Sequence, residues 1–192
     1  MPRQNPTNLY FIALIPRKDI YDSIIGFKTD FALRFNSKIA LKVIPHITLK
    51  NPFTLDTSDH EKLIQWFQKL SIDLTTFGIS LNNFGAFQSP VSPVIFVQPV
   101  MNTPLYTLQK EIIRSFKNSF PSLIHSYDLK FKPHMTVAYR DLVPAKFKEA
   151  WKEYSEKEYK TVFEVDSFYL LQHDTKKWNI LETYLLKKVS DL

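Results

Sequence analysis

A four-residue pattern that occurs twice sets the strongest limit on how this chain folds. Residues 45–48 read Pro-His-Ile-Thr, and residues 133–136 read Pro-His-Met-Thr. In each copy an apolar residue follows the threonine and a cation lies close by: Leu49 and Lys50 in the first, Val137 and Arg140 in the second. The histidines stand 88 positions apart, at 46 and 134. Such a repeat implies a duplicated unit that contributes one histidine from each half.

The surrounding residues predict that each copy lies on a strand. Ile39 to Lys50 forms one, and Phe131 to Arg140 forms the other, with Val137 and Tyr139 suited to a pleated, half-buried surface. Side chains two apart on a strand share a face. His46, Thr48 and Lys50 are therefore expected on one side, with Ile47 and Leu49 turned to a core. His134 and Thr136 likewise share a face with Lys132 and Arg140, while Met135 and Val137 point inward. A histidine beside a hydroxyl, flanked by cations, suits a phosphate. A surface histidine on an ordinary strand accounts for either copy taken alone, but it accounts poorly for the matched pair.

At Pro-His-Ile-Thr-Leu-Lys-Asn-Pro-Phe (45–53) and Lys-Pro-His-Met-Thr-Val (132–137) the chain resembles the 2H phosphoesterases. These are named for two His-x-Thr/Ser motifs, and they include bacterial 2′-5′ RNA ligase-like proteins and plant and yeast cyclic phosphodiesterases. The trailing Asn-Pro-Phe looks most like a bacterial branch of predicted phosphoesterases. The resemblance spans nearly the whole chain and does not name the substrate. It implies a metal-independent phosphodiesterase acting on a 2′,3′-cyclic nucleotide or an RNA-end phosphodiester. His46 and His134 would be the acid–base pair, and Thr48 and Thr136 the donors to phosphate oxygens. Lys50 and Arg140 are candidates to meet phosphate charge. Tyr139 falls where cyclic phosphodiesterases of this kind carry a substrate-contacting tyrosine. Strict alternation turns it away from the cleft, so the carry-over requires a bulge or a strand end. The same acid–base pair run in reverse gives 2′-5′ RNA ligase activity. A nucleotide- or RNA-binding module with little turnover, or a purely structural protein, are the alternatives.

The rest of the chain is read as α+β: two pseudo-symmetric lobes, each with a mainly antiparallel sheet lining a shared cleft, with helices outside, in one bilobal unit over residues 1–192. Leu9 to Ile15 is a central strand. Asp19 to Phe35 is a helix, with Ile20, Ile24, Phe27, Phe31 and Phe35 as its apolar stripe. Ser58 and Glu61 form a capping box for a second helix. Thr103-Pro104 caps and opens a third, striped by Leu105, Leu108, Ile112, Phe116 and Phe120. Strands cover Phe77–Leu81 and Val94–Val97, with Gly85 to Pro93 as a loop between them. A helix from Pro144 to about Tyr159 precedes two closing strands, 161–172 and 178–188.

Composition narrows the partners. The net charge of +6 favours an anionic ligand, spread too thinly for duplex DNA. With no cysteine there are no disulfides or thiolate metal sites. No carboxylate lies near either motif at ligand spacing, so neither metal nor cofactor is expected. The polar start Met1-Pro2-Arg3-Gln4-Asn5-Pro6 does not read as a signal peptide, and no stretch is long and apolar enough to span a membrane. The expectation is a cytoplasmic monomer. His60, His125 and His173 read as solvated residues, and Tyr10 and Phe11 as core.

Overall fold

The computed structural model describes residues 6–188. Met1 to Asn5 and positions 189–192 of the expected unit lie outside the described residues. In chain order the strands are β1 (Thr7–Leu14), β2 (Ile47–Asp56), β3 (Phe77–Phe87), β4 (Val94–Pro99), β5 (Met135–Ala138), β6 (Lys160–Val165), β7 (Ser167–His173) and β8 (Trp178–Leu185). The helices are α1 (Lys18–Arg34), α2 (His60–Gln68), α3 (Thr103–Ser119), α4 (Ser126–Leu129) and α5 (Pro144–Tyr154).

Two antiparallel four-stranded sheets result, ordered β2-β1-β7-β8 and β5-β4-β3-β6. The motif strands β2 and β5 occupy equivalent edges. Their inner neighbours β1 and β4 correspond, and so on across each sheet, which is the pseudo-symmetry that the repeat implies. The helices exchange partners between lobes: α1 follows β1 yet packs against β5, and α3 follows β4 yet packs against β2. One apolar cluster runs through both sheets, from Tyr10, Ile12 and Leu14 to Val97, Val137 and Phe163. β1 is buried on both faces, since Phe11 and Ala13 join a second cluster with Leu171 on the other side. Its run of apolar residues, without alternation, is what such a central strand requires.

Several expected boundaries move. The first motif strand does not begin at Ile39: residues Ile39–Lys42 form a 3-10 turn, and β2 starts only after Pro45 and His46. Likewise β5 is confined to Met135–Ala138, downstream of Pro133. A proline offers no N–H to a ladder, so both strands begin after it. The segment 161–172 is two strands in different sheets, parted at Asp166, because β6 pairs with β3 and β7 pairs with β1. β3 extends through Gly85 to Phe87, into the expected loop.

The caps also differ. Asn102 caps α3, its side chain accepting from the Leu105 N–H, so Thr103 is the first helical residue. Ser58 lies in a 3-10 turn ahead of α2 and makes no cap bond. The predicted stripe of α3 holds: Leu105, Leu108, Ile112, Phe116 and Phe120 are all buried. No helix among the described residues is long and apolar enough to cross a membrane.

Candidate active site

The two motif copies have the same local shape. From histidine through the sixth residue after it, burial runs in identical order in 46–52 and 134–140: half-buried, buried, half-buried, buried, buried, half-buried, exposed. Simple alternation would not place two buried residues together. The cause is a bulge one residue after each threonine. Ala13 pairs with Thr48 but the preceding Ile12 pairs with Lys50, leaving Leu49 extra. Phe96 pairs with Thr136 but Ile95 pairs with Ala138, leaving Val137 extra. An extra residue reverses the faces occupied by the side chains beyond it.

Each bulge leaves the histidine and threonine ahead of it undisturbed and re-sorts the residues downstream of the threonine. His46, Thr48, His134 and Thr136 all line one cleft of about 240 Å³ between the motif edges, with Phe11, Lys28, Val43, Tyr139, Arg140 and Trp178 among the other walls. Tyr139 enters the cleft because the bulge at Val137 and the strand end at Ala138 undo the alternation that turned it away. Arg140 also lines it, in a left-handed conformation with φ 61°. Its guanidinium lies 5.2 Å from the centre of the Tyr139 ring, a cation–π distance. Asp141 anchors this turn to the first half of the chain, accepting from Ser37 Oγ at 2.9 Å, Lys38 N at 2.7 Å and Ile39 N at 2.9 Å.

Lys50 corrects the alternation-based expectation. It is swung out of the cleft into the core, with no side-chain exposure, and its ammonium lies 3.0 Å from Asp128. Ala138 is the buried residue at the same place in the second copy. The cation that the cleft does contain from the first half is Lys28, on α1. Sequence reading passed over it, yet there was a signal: Lys28 interrupts the buried stripe Ile20, Ile24, Phe31, Ala32.

The histidines are held alike. His46 Nδ1 lies 2.7 Å from the Ile44 carbonyl, and His134 Nδ1 lies 2.8 Å from the Lys132 carbonyl. A carbonyl only accepts, so each Nδ1 carries the hydrogen and each Nε2 is the basic nitrogen, unbonded among the described residues. Phe11 packs edge-on against His46 at 4.9 Å. Phe87 and Phe96 pack against His134 at 5.1 Å and 5.5 Å. Burial pulls His46 down to about 4; the Ile44 carbonyl opposes this, and the charges of Lys28 and His134 reinforce it. Burial also lowers His134, against the pull of the Lys132 carbonyl. Burial raises the Tyr139 phenol, with Arg140 opposing and Asp141 adding to the rise, so it stays a hydrogen-bond donor. The cleft thus offers two imidazoles, two hydroxyls, a phenol and two cations. Among the described residues no three His, Cys, Asp or Glu side chains come together as a metal site.

The remaining expected or overlooked residues fall into place around this cleft. Tyr10 is core, and its hydroxyl lies 2.7 Å from His60 Nδ1. Phe11 is nearly buried but forms part of the wall. Trp178, which sequence reading did not single out, packs on Phe11 at 4.4 Å and on His173 at 5.0 Å.

Comparison with known proteins bears on the family and the fold. A family model described as the 2′-5′ RNA ligase superfamily matches residues 21–177. A protein of Geobacillus sp. (strain WCH70) named "Putative phosphoesterase" is 28% identical over 178 residues, covering 92% of this chain and 95% of that one. A Bacillus mycoides (strain KBAB4) protein of the same name is 29% identical over 178 residues, covering 92% and 96%. Among solved structures, E. coli LigT complexed with 3′-AMP superimposes with a TM-score of 0.69 at 15% identity, covering 95% of this chain and 100% of LigT. A Thermus thermophilus protein gives a TM-score of 0.68 at 16% identity, covering 94% and 99%.

Proposed function

Since the chain belongs to the 2′-5′ RNA ligase superfamily, we propose that it is a phosphodiesterase that opens 2′,3′-cyclic phosphates of nucleotides or RNA ends by two-histidine acid–base catalysis. The observation that carries this reading is the matched pair of tethered imidazoles in one cleft, each with Nε2 unbonded among the described residues. One neutral imidazole takes a proton from water as its oxygen bonds to phosphorus. The other, as imidazolium, gives its proton to the ribose oxygen whose bond to phosphorus breaks, leaving a monoester. His46, whose proton affinity is lowered furthest, suits the base; His134 suits the acid. Thr48 and Thr136 donate to the non-bridging oxygens, and Tyr139 and Arg140 face the same phosphate. Both proton transfers belong to side chains, and no step calls for a metal. That LigT was crystallised with 3′-AMP and with phosphate supports a nucleotide-sized ligand here. The two motif halves act as one bilobal unit, and the cysteine-free composition fits a cytoplasmic setting.

The test is incubation of the protein with 2′,3′-cyclic mononucleotides and with RNA ending in a cyclic phosphate, in EDTA, with products identified by mass. Monoester product supports the reading. Joined RNA strands as the main product would assign the pair to ligation instead. Binding of nucleotide without any turnover would reduce the protein to a binding module.

Gly85 supplies a second, indirect test. A Cβ there would meet the Phe96 ring at 2.5 Å and 2.7 Å and Gln98 Oε1 at 2.9 Å. Phe96 in turn packs on His134. Gly85→Ala is expected to shift that ring and misalign His134, lowering kcat about tenfold, since an ångström of displacement can cost up to ~10²-fold. Kinetics beside a melting curve measure it; an unchanged kcat in a folded variant would detach Phe96 from the positioning of His134.

A further inference from the structure

Two lysines are buried in this fold, and only one has a counter-ion among the described residues. Lys50 has Asp128. Lys28 is 2% exposed, and no carboxylate pairs with it among the described residues. Its ammonium donates to the Val43 carbonyl at 2.6 Å. An ammonium has three protons, so one carbonyl leaves most of its bonding capacity unused. Burying a cation this way is unfavourable unless something anionic completes it. Burial accordingly pulls Lys28 down to about 8, which still leaves it charged at neutral pH. It lines the same cleft as His46, Thr48, His134 and Thr136, and its charge is felt at His46.

We propose that Lys28 is a substrate-binding residue whose missing counter-ion is the phosphate gripped between the two histidines. This rests on reading the cleft as a phosphodiester site, and it adds to that site a residue from a helix outside both motifs. The position explains the placement. α1 crosses from the first lobe to pack on β5 of the second, so a residue on its buried stripe reaches the space between the motifs. Leucine or methionine would fill that stripe with no unpaired charge. The competing role for Lys28 is a tether that ties α1 to Val43.

The two roles separate in the Lys28→Met variant, which keeps the length of the side chain and removes the charge. A phosphate-binding Lys28 predicts a melting temperature equal to or above wild type, because the uncompensated buried charge is gone. It predicts kcat/KM on a 2′,3′-cyclic nucleotide lowered about 10²-fold, the scale for losing one preorganised donor. It also predicts that the rise in melting temperature given to wild type by millimolar inorganic phosphate disappears in Lys28→Met and survives in Lys28→Arg. A tether predicts a lower melting temperature with the phosphate response intact, and that result overturns the inference. So does a wild-type protein that phosphate does not stabilise. If wild type hydrolyses no cyclic phosphate, the phosphodiesterase reading fails, and the phosphate-induced shift still decides the role of Lys28.

Discussion

Alanine in place of His134 is expected to lower kcat/KM on a 2′,3′-cyclic nucleotide by about 10³-fold, and alanine in place of His46 to do the same, with both proteins still folded. General acid–base groups each contribute on the order of 10²–10⁴, and both rings sit at a cleft wall without holding core elements together. The two losses are not expected to multiply. Once one proton transfer is gone, the other imidazole has little left to assist, so the double variant should resemble the worse single one. His60→Ala is the comparison, because His60 bonds the Tyr10 hydroxyl at 2.7 Å away from the cleft. The pH profile carries the same logic. kcat/KM reports the groups of the free enzyme. Base catalysis needs His46 neutral, which holds above about 4. Acid catalysis needs His134 protonated, and burial brings its pKa below the ordinary histidine value of about 6.5. The optimum for kcat/KM is therefore expected on the acid side of pH ~6.5. Undiminished turnover in either single variant would end the two-histidine mechanism.

What could be read from residues alone depended on how local the determining physics was. The repeat at 46 and 134 announced two equivalent half-sites, because a motif and its spacing are properties of the string. Period-two alternation then placed His46 with Thr48 and His134 with Thr136, because within three residues nothing interrupts the pleat. It failed within three residues of each threonine, at Lys50 and at Tyr139. The bulges at Leu49 and Val137 exist only in register with β1 and β4, and a strand pairing is invisible in the strand itself. Lys28 was hidden for a related reason. Its stripe position was legible, but helix α1 packs across the lobe boundary, so the sequence did not say which surface the stripe would meet. The split of 161–172 at Asp166 is of the same kind. Each half is a good strand, and only the tertiary fold assigns them to different sheets.

The second large effect is expected at Asp128, in the half-site where the bulge delivers a lysine to the core. Asp128 is 2% exposed. Its carboxylate accepts from Asn51 N at 3.1 Å, Asn51 Nδ2 at 3.0 Å and His125 N at 2.8 Å, and it faces the Lys50 ammonium at 3.0 Å. Burial alone would raise its pKa, but the His125 N–H, Asn51 and Lys50 outweigh that and hold it below the usual carboxylate value. Asp128→Ala removes every one of these partners at once. It leaves Lys50 charged in a dry core against Phe53 and Phe116, and it strips the Asn51 amide of its acceptor. Breaking a buried pair from one side costs about 3–5 kcal/mol, or on the order of 6–20 °C in melting temperature for a chain of this size. Lys50→Met should cost much less, because the carboxylate keeps its three N–H donors. Adding Lys50→Met to Asp128→Ala should recover part of the loss, since it removes the orphaned charge. A urea-unfolding cycle over the four proteins measures this. Additive losses, or a cost for Asp128→Ala under ~1 kcal/mol, would mean that water reaches Lys50 and the pair is not sealed. If the cycle shows coupling, kcat should fall with stability in Asp128→Ala, because Asn51 and Lys50 adjoin the bulge that aims Thr48. The second half-site, with Ala138 in the equivalent place, has no such pair to lose.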